Sequence, residues 1–240
     1  MLQGMLLVDK PADMTSHDVV ALARRQLGVR RIGHTGTLDP AAQGLLILLI
    51  GAATKHQHRF QRHAKIYEAT VRLGIQTDTG DAQGRPVREA AIPALAQDEV
   101  KRVLASLVGL GSQIPPAYSA VKVRGRPSYW WTRHNQPVAL EARVVEIFEL
   151  ALLGLTTESL QIRVRCSAGT YVRRLAETIG ERLGTVGHLT GLRRVQIGDW
   201  SLDGAVPVRW LREATVEAIA ARLVALGEPE PVRRAHSSRP

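Results

Sequence analysis

Cysteine is almost absent from this chain of 240 residues, and its scarcity excludes several classes of protein. Cys166 has no second cysteine with which to form an internal disulfide, so a secreted fold held together by disulfides is not expected. A zinc site built from several cysteines is excluded for the same reason. The composition, with 45% apolar and 22% charged residues, is that of a globular chain long enough to bury a core without such cross-links.

Long hydrophobic runs are missing as well. The most apolar stretch, residues 44–53, is roughly half as long as a membrane-spanning helix needs to be. The first residues carry no positive charge ahead of their apolar positions, and Asp9 and Lys10 follow at once, so no signal peptide is expected. A soluble protein of the cytoplasm is therefore predicted.

Acidic residues are scarce in two long stretches of a chain whose formal net charge is +10. Residues 19–67 hold Asp39 as their one acid, and residues 100–140 hold none, although both stretches are rich in Lys and Arg. The second stretch interleaves its cations with two tyrosines and two tryptophans, a combination that suits RNA, since cations meet phosphates and rings stack on unpaired bases. An arginine-rich proteome, or a solvated face beside core aromatics, would give the same composition.

The isolated acid, Asp39, is the sharpest feature of the first stretch. Cations around a carboxylate favour its ionised form. A protein that only holds nucleic acid gains nothing from an acid facing phosphate, so Asp39 is predicted to take part in chemistry if it lies at the basic surface. Its segment, GHTGTLDP, combines glycines that allow close approach to a ligand with a proline that keeps Asp39 extended. The alternative is an ordinary glycine-rich turn, because the segment is neither a P-loop nor a dinucleotide fingerprint.

A second motif, CSAGTYVRR at residues 166–174, has the pattern of a strand end, a glycine turn and the start of a helix. Arg173 in this motif could pair with a carboxylate through two hydrogen bonds, and Tyr171 offers a ring and a hydroxyl. The alternative is a helix start that carries a core tyrosine and solvated arginines.

The hydrophobic periodicity predicts an α+β fold, because strands and helices mix without a steady β-α-β rhythm. The predicted strands are residues 5–8, 45–50, 67–73, 118–123, 144–153, 159–166 and 191–197. The predicted helices are residues 16–27 with Thr15 or Ser16 as cap, 98–107 with Asp98 as cap, 168–183 and 207–226. Residues 77–84 are predicted to form turns.

Taken in order, the motifs resemble those of the bacterial TruB-type tRNA pseudouridine-55 synthases. GHTGTLDP followed by GLL resembles the catalytic motif of that family, and LLVDKP, TDTGD, QIPPAYSAVK, CSAGTYVRRL and GLRR resemble further blocks in the family's order. The resemblance runs from residue 5 to about residue 205. It implies a catalytic domain over residues 1–226 with a mixed, mainly antiparallel sheet flanked by helices, and an RNA-clamping insertion within about 100–140.

The reaction implied by this resemblance is the isomerisation of one uridine in the T-loop of tRNA, position 55, to pseudouridine. The resemblance makes Asp39 the essential catalytic aspartate, and leaves open whether it attacks the base, attacks the sugar or removes a sugar proton. The target base would be flipped out of the loop. No cofactor and no metal are implied, and the expected partner is the T-arm of tRNA, bound by a monomer.

The remaining roles also come from the resemblance, position by position. Substrate-binding roles fall on Tyr67, which would stack on the uracil, on Tyr171 as a second aromatic, on Leu192 in the uracil pocket and on His34, which would help extrude the base. Supporting roles fall on Arg173, which would pair with Asp39, on Asp81, which would hold Arg173, and on Lys10 beneath the active-site loop.

Two segments depart from the family pattern. Residues 227–240 form a tail rich in Pro and Arg that is too short for the C-terminal RNA-binding module of the PUA type that many members carry, so no complete PUA domain is expected. Residues 128–135, SYWWTRHN, are unusual for the family, and their tryptophans are expected to be packed.

Two rival functions remain open from the sequence. The first is a non-catalytic RNA-binding or RNA-folding module on the same fold, which leaves Asp39, Tyr67 and Arg173 without a reason to occur together. The second is a metal-dependent RNA hydrolase that uses Asp39 with a cluster of histidines, His56, His58 and His63.

Overall fold

A computed structural model of the chain describes residues 2–226, and the predicted tail at 227–240 lies outside the described residues. Ten strands form one sheet, and four more form two small hairpins. In chain order the strands are β1 (Gly4–Lys10), β2 (Ile32–His34), β3 (Gln43–Ile50), β4 (Lys65–Leu73), β5 (Ile75–Thr77), β6 (Pro86–Glu89), β7 (Gly109–Gln113), β8 (Lys122–Val123), β9 (Arg126–Pro127), β10 (Arg143–Leu155), β11 (Ser159–Cys166), β12 (Gly187–Ile197), β13 (Trp200–Ser201) and β14 (Val206–Pro207).

The sheet runs β14-β1-β3-β12-β4-β11-β10-β7, with β2 beside β3 and β13 beside β12, and the hairpins are β5-β6 and β8-β9. Its pairings are antiparallel apart from β1 with β14 and β12 with β3, which are parallel. The helices are α1 (Ser16–Leu27), α2 (Gln57–Gln61), α3 (Gln97–Ser106), α4 (Ser128–Arg133), α5 (Val172–Arg182), α6 (Val208–Glu213) and α7 (Val216–Ala221). The predicted α+β class with a mixed, mainly antiparallel sheet is confirmed. No helix among these is long and apolar enough to span a bilayer.

The central strand β3 explains the most apolar run of the sequence. Every residue from Gly44 to Ile50 is buried. Leu46, Leu48 and Ile50 pack on the side of α1, whereas Leu45, Ile47 and Leu49 pack on the opposite side of the sheet. A strand covered on both faces reads as a continuous apolar run, and this strand prediction is confirmed.

Helix α1 begins where the sequence predicts. The Thr15 hydroxyl accepts from the Asp18 backbone N–H at 3.0 Å, and the Asp18 carboxylate accepts from the Thr15 N–H at 2.8 Å. This reciprocal capping box satisfies two backbone donors that the first turn leaves free. Its position matters for function because Ser16, the next residue, bonds the loop that carries Asp39.

Strand β4 is the half-buried strand that its alternation predicts. Ala69, Val71 and Leu73 face the largest hydrophobic cluster, together with residues of β11, β12, α3 and α5. On the same strand Tyr67 pairs in register with Val164 of β11 and, on its other side, with Arg194 of β12. β4 therefore holds Tyr67 between two neighbouring strands.

Two helix predictions differ from the structure at their starts. Helix α5 begins at Val172 and not at Ala168, because Gly169 has a positive φ of 86° and Tyr171 is extended. Ala96 is the N-cap of α3, and Asp98 lies inside the first turn.

The predicted helix at 207–226 is two short helices, α6 and α7. They are separated at Ala214 and Thr215, both of which are extended. The Thr215 hydroxyl accepts from the Ala218 N–H at 3.2 Å and begins a new helix.

The basic stretch at 100–140 divides into two structural parts. Helix α3 and strand β7 belong to the main fold, since Val100 and Leu104 are core residues and β7 pairs with β10. Residues 114–142, called the insertion below, leave the sheet between β7 and β10. The predicted strand at 118–123 is wrong except for Lys122–Val123, because the Tyr118 carbonyl is taken by an arginine side chain and not by a strand.

Candidate active site

One cavity of about 390 Å³ brings together six of the eight residues that the sequence singles out. Those lining it are His34, Asp39, Tyr67, Tyr171, Arg173 and Leu192. The other two do not line the cavity. Lys10 donates to the carbonyl of Pro40, the residue after Asp39, and Asp81 lies 3.6 Å from Arg173. The lining residues come from β2 and the loop after it, from β4 and β12, and from the start of α5. These segments are distant in sequence, and the folded sheet brings them together.

The loop at 35–42 carries Asp39 and is fixed by a helix on one side. Leu38, the residue before Asp39, is buried, and its N–H donates to the Ser16 hydroxyl at 2.8 Å. The same hydroxyl donates to the Leu38 carbonyl at 3.2 Å. The Ala42 N–H then donates to the Asp39 carbonyl at 3.0 Å, which closes a turn around the aspartate.

Two buried cations support this loop through backbone carbonyls. The Lys10 ammonium is fully buried and donates to the carbonyls of Pro11, Met14 and Pro40 at 2.8, 2.6 and 3.1 Å. Burial lowers the pKa of Lys10 to about 8, while the charge of Asp39 acts in the opposite direction. Lys10 thus ties the loop to the end of β1.

Arg194 is the second supporting cation, and the sequence analysis assigned it no role. Its guanidinium is buried and donates to the Leu45 carbonyl at 2.8 Å and to the Gly36 carbonyl at 3.0 Å. It lies in the GLRR motif, so a signal existed, but acceptors that are backbone carbonyls leave no trace in a sequence.

Arg173 joins three segments around Asp39. Its Nε lies 3.2 Å from Asp39 Oδ2, and its Nη1 lies 3.6 Å from Asp81 Oδ2. Its Nη1 also donates to the Thr79 carbonyl at 3.1 Å, and Nη2 donates to the Tyr118 carbonyl at 2.9 Å. The Asp-Arg-Asp chain implied by the family resemblance is therefore present as geometry, with a further link to the insertion.

Asp39 carries a perturbed pKa. Burial raises the pKa of this carboxyl above its ordinary value, Arg173 lowers it, Asp81 raises it and Lys10 lowers it. The net direction is upward, although the side chain remains 43% exposed through the cavity. The basic stretch was expected to favour the ionised form. The cations that act in that direction, Arg173 and Lys10, lie outside this stretch, and desolvation outweighs them.

Tyr67 and Leu192 form an apolar wall of the cavity. Tyr67 is half-buried on β4, Leu192 is half-buried on β12, and both pack against the largest core cluster. Burial raises the pKa of Tyr67, so its phenol stays neutral at pH 7. A neutral ring beside an aliphatic side chain suits a planar, uncharged base.

The start of α5 fixes Tyr171 through a residue that the sequence analysis did not single out. The Tyr171 N–H donates to Gln113 Oε1 at 3.0 Å, so the last residue of β7 reaches the cavity lining. The neighbouring Arg174 Nε donates to the Ile114 carbonyl at 3.1 Å. Together with the bond from Arg173 to Tyr118, these contacts anchor the base of the insertion to the active-site helix.

His34 lies at the end of β2 and faces the cavity with one ring nitrogen unpartnered. Within residues 2–226, Nδ1 of His34 has no hydrogen-bond partner, and burial lowers the pKa of this imidazole. The side chain is therefore neutral at pH 7. Gln57 Nε2 donates to the His34 carbonyl at 3.1 Å and holds its backbone.

Lys65 lines the cavity as well, although the sequence analysis did not select it. Its ammonium is buried and donates to the carbonyls of Gln61 and His63 at 2.8 and 2.6 Å. Burial lowers the pKa of Lys65 to about 8. Cys166 lies nearby in the core, and burial raises the pKa of its thiol to about 11.

The insertion holds its tryptophans in two ways. Trp131 donates from Nε1 to the Val123 carbonyl at 3.0 Å. Trp130 is sandwiched, with the Arg126 guanidinium 4.0 Å from its ring centre and the His134 ring stacked at 4.0 Å. Both indoles are half-buried, and Tyr129 beside them is exposed.

The three histidines of the hydrolase hypothesis do not form a metal-binding group. His56 is buried in a 3₁₀ turn, whereas His58 is exposed on α2. Across the described chain, no three His, Cys, Asp or Glu side chains converge into a group that could hold a metal ion.

The chain is similar to known proteins in sequence and in structure. The family model described as TruB family pseudouridylate synthase, N-terminal domain, matches residues 24–172. A protein of Aromatoleum aromaticum called tRNA pseudouridine synthase B is 48% identical over 217 residues, which cover 90% of this chain and 70% of the relative. A protein of the same description from Burkholderia pseudomallei is 46% identical over 222 residues, 92% of this chain and 73% of the relative.

Among solved structures, a chain in the crystal structure of a Cbf5-Nop10-Gar1 complex superposes with a TM-score of 0.71 at 25% identity. The superposition covers 92% of this chain and 60% of that chain. A chain of an archaeal Nop10-Cbf5 complex gives a TM-score of 0.67 at 23% identity, which supports the fold alone.

Proposed function

Because the chain belongs to the TruB family of pseudouridylate synthases, we propose that it isomerises the T-loop uridine at position 55 of tRNA, with Asp39 as its catalytic residue. At the level of class, the chain is an isomerase that acts on tRNA uridine, like the relatives that it matches over most of its length. The observation that carries the proposal is one cavity in which Arg173 Nε lies 3.2 Å from the Asp39 carboxylate and Tyr67 offers a stacking ring.

The reaction exchanges one bond for another within the same nucleotide. The bond between N1 of uracil and C1′ of ribose breaks, the base turns, and a bond from C5 to C1′ forms. The proton on C5 is lost and N1 gains one, so the elements balance and no electrons leave the substrate. Such an isomerisation needs no cofactor and no group donor. In this proposal the Asp39 carboxylate acts at the bond that breaks.

A uridine inside a folded T-loop reaches Asp39 only when it leaves its stack. Extruding a nucleotide costs a few kcal/mol. Stacking of the uracil on Tyr67 returns about 1–3 kcal/mol, and Leu192 covers the apolar edge of the same site. His34 and Tyr171 line the cavity on other sides and would take the predicted roles in extruding and holding the base.

Arg173 would keep Asp39 ionised and oriented, and Asp81 and Lys10 would support this arrangement from behind. The insertion would bind T-arm phosphates through exposed cations such as Lys122, Arg124 and Arg126. In this proposal residues 1–226 form the catalytic domain, and a monomer acts on tRNA in the cytoplasm.

The test is an incubation of the purified chain with unmodified tRNA transcript, followed by position-resolved detection of pseudouridine. Product is expected at the T-loop uridine with the wild type, and none with Asp39→Ala despite retained tRNA binding. Asp98→Ala is the matched control, because this aspartate is almost fully exposed on α3 and should leave turnover unchanged.

Three results would contradict the proposal. Product formed by Asp39→Ala would remove the assigned role of that residue. Binding of tRNA by the wild type without product would favour the non-catalytic RNA-binding module. Strand scission in place of pseudouridine would favour the hydrolase.

A further inference from the structure

Two buried hydroxyl groups of the cavity, those of Thr35 and Ser119, have no hydrogen-bond partner within residues 2–226. The two residues are only 1% and 4% exposed. In the part of the chain that the structure describes, five buried side-chain polar atoms lack a partner, and three of them belong to residues that line this cavity. Those three are His34 Nδ1, Thr35 Oγ1 and Ser119 Oγ. Since buried polar groups are almost always paired, their concentration here points to a ligand.

The backbone around Thr35 is held by three hydrogen bonds, so its free hydroxyl does not reflect a loose loop. The Thr35 N–H donates to the Ile47 carbonyl at 3.1 Å. On one side Gln57 holds the His34 carbonyl, and on the other Arg194 holds the Gly36 carbonyl at 3.0 Å. Thr35 is thus fixed in the lining, four residues before Asp39, with its hydroxyl unused.

Ser119 is fixed in the same way at the opposite side, where the insertion meets the cavity. Arg173, which also contacts Asp39, donates to the carbonyl of the preceding residue, Tyr118, at 2.9 Å. The Ser119 carbonyl accepts from the Tyr129 N–H at 3.1 Å. The insertion contains a serine for comparison: Ser128 is 1% exposed, and its hydroxyl donates to the Ala117 carbonyl at 2.7 Å.

We propose that the hydroxyls of Thr35 and Ser119 form hydrogen bonds to the target uridine when it fills the cavity. The inference rests on the proposed function and adds two substrate-binding residues to it. A hydroxyl donates one hydrogen bond and accepts others, so it fits the carbonyl oxygens and the N3–H of uracil or a ribose hydroxyl. In the free protein both oxygens are shielded from solvent, so each hydroxyl has to turn toward the cavity to reach the base.

This role predicts that mutations of the two hydroxyls affect stability and activity differently. Removing a hydroxyl that has no partner in the free protein costs no folding energy, yet it removes a bond to the substrate. Thr35→Val keeps the shape and deletes the hydroxyl, whereas Thr35→Ser keeps the hydroxyl and deletes a buried methyl. Ser119→Ala deletes the unpaired hydroxyl, whereas Ser128→Ala deletes a paired one.

The experiment measures kcat/KM on unmodified tRNA transcript and the free energy of unfolding in denaturant for these four variants and the wild type. Thr35→Val and Ser119→Ala are expected to lower kcat/KM by about 3- to 10-fold without loss of stability. Ser128→Ala is expected to lower stability and to keep kcat/KM within about 2-fold of the wild type. Thr35→Ser is expected to lower stability and to retain a higher kcat/KM than Thr35→Val, because it keeps the hydroxyl.

The opposite results would overturn the inference. If Thr35→Val and Ser119→Ala turn over tRNA as the wild type does, the hydroxyls do not touch the substrate. If they lose activity only in step with stability, as a structural residue would, the hydroxyls serve the fold. Wild-type turnover in the same assay separates the two proposals: its absence refutes the proposed function and this inference with it, whereas its presence beside unaffected variants refutes the inference alone.

Discussion

Arg173 makes three contacts at once that a smaller cation could not make. Its planar guanidinium offers separate donors to the Asp39 carboxylate, the Thr79 carbonyl and the Tyr118 carbonyl. A lysine at this position would supply a point charge at the end of a flexible stem and could not reach three segments in fixed directions. Arg173 therefore holds the Asp39 carboxylate in position and opposes the rise in its pKa that burial causes.

The first prediction concerns the pH profile of Arg173→Ala. Burial raises the pKa of Asp39, and Arg173 is the strongest influence in the opposite direction, so removing the guanidinium raises that pKa further. If catalysis needs the ionised carboxylate, activity is lost as pH falls through this pKa. The acid limb of kcat/KM should move to higher pH, and kcat/KM at pH 7 should fall at least ~10-fold.

The control is Arg174→Ala, one residue further along α5, where the side chain pairs with Glu177 and the Ile114 carbonyl. Its acid limb should coincide with that of the wild type. An unchanged limb in Arg173→Ala, measured from pH 5 to 8, would mean that the arginine does not set the charge of Asp39.

The second prediction separates function from stability at Asp39. A folded-state pKa above the unfolded value means that the ionised carboxylate costs stability at pH 7, and that this cost disappears as pH falls below the ordinary value of 3.8. Asp39→Asn should therefore unfold with a free energy equal to or slightly above that of the wild type at pH 7. The gain is small because water reaches part of the side chain.

In the same variant, kcat should fall by roughly 10³-fold or more. Denaturant unfolding at pH 7 and pH 4, together with single-turnover assays, checks both parts. A clear loss of stability at pH 7 would show that the pair with Arg173 holds the fold together, against the direction given by burial.

At the scale of elements, the approach of β3 to β12 decides how the active-site loop is held. Gly44 begins the buried part of β3 and pairs in parallel register with Arg194. Its φ is +100°, and a Cβ atom there would lie 2.3 Å from the Arg194 carbonyl oxygen. Only glycine permits this contact, and through it the Arg194 side chain reaches the Gly36 carbonyl.

The third prediction is that Gly44→Ala destabilises the protein by about 2 kcal/mol or more, from the strained φ and the overpacked contact. It should also lower kcat/KM, because the displaced Arg194 would release the loop that carries Asp39. Gly33→Ala is the matched control, since an added Cβ there meets nothing within 4 Å. Equal unfolding midpoints for the two variants would contradict the argument.

The elements that the sequence predicts well are those whose signals are local. The signal for β3 is a continuous apolar run, and the signal for the start of α1 is a capping residue beside the helix. Each signal spans only a few residues, and both elements are found in the structure. The break between α6 and α7 also had a local signal, a threonine able to cap a helix, which the amphipathic pattern of residues 207–226 concealed. The strand predicted across 118–123 failed because Arg173, distant in sequence, takes a carbonyl from it.

The same difference between local signals and distant contacts applies to the residues of the candidate site. Asp39 was selected because it is the one acid in a long basic stretch, and Arg173 because its motif offers a guanidinium to a carboxylate. Tyr67 was selected through its resemblance to the family. Arg194 and Gln113 were missed because their partners are a backbone carbonyl and a backbone N–H far along the chain. The sequence shows which side chains are present, but it does not show which distant backbone groups they bond. Those hydrogen bonds are visible only in the folded structure.

At the scale of the whole molecule, charge is distributed unevenly between the sheet and the insertion. Arginines on the sheet are neutralised by neighbours, as Arg72 is by Glu158 and Arg163 by Glu68, at 2.7 and 3.0 Å. Lys122 and Arg124 of the insertion are exposed, and the acid-free sequence around them provides no local counter-charge. The exposed cations of the insertion are therefore available to phosphates.

The fourth prediction follows from this distribution. The affinity for tRNA should fall steeply with salt, because each bound phosphate releases counterions. Replacing both Lys122 and Arg124 by alanine should weaken binding and reduce the slope of log K against log salt by about 2. Replacing Arg72 and Arg163, which removes the same charge from paired positions, should leave the slope nearly unchanged.

Titrations between 50 and 200 mM salt, the range over which such losses of affinity are large, check this prediction. If both double variants share the wild-type slope, or if the wild type itself responds weakly to salt, phosphates of the T-arm are not held by the insertion, and the cations there serve another purpose than binding RNA.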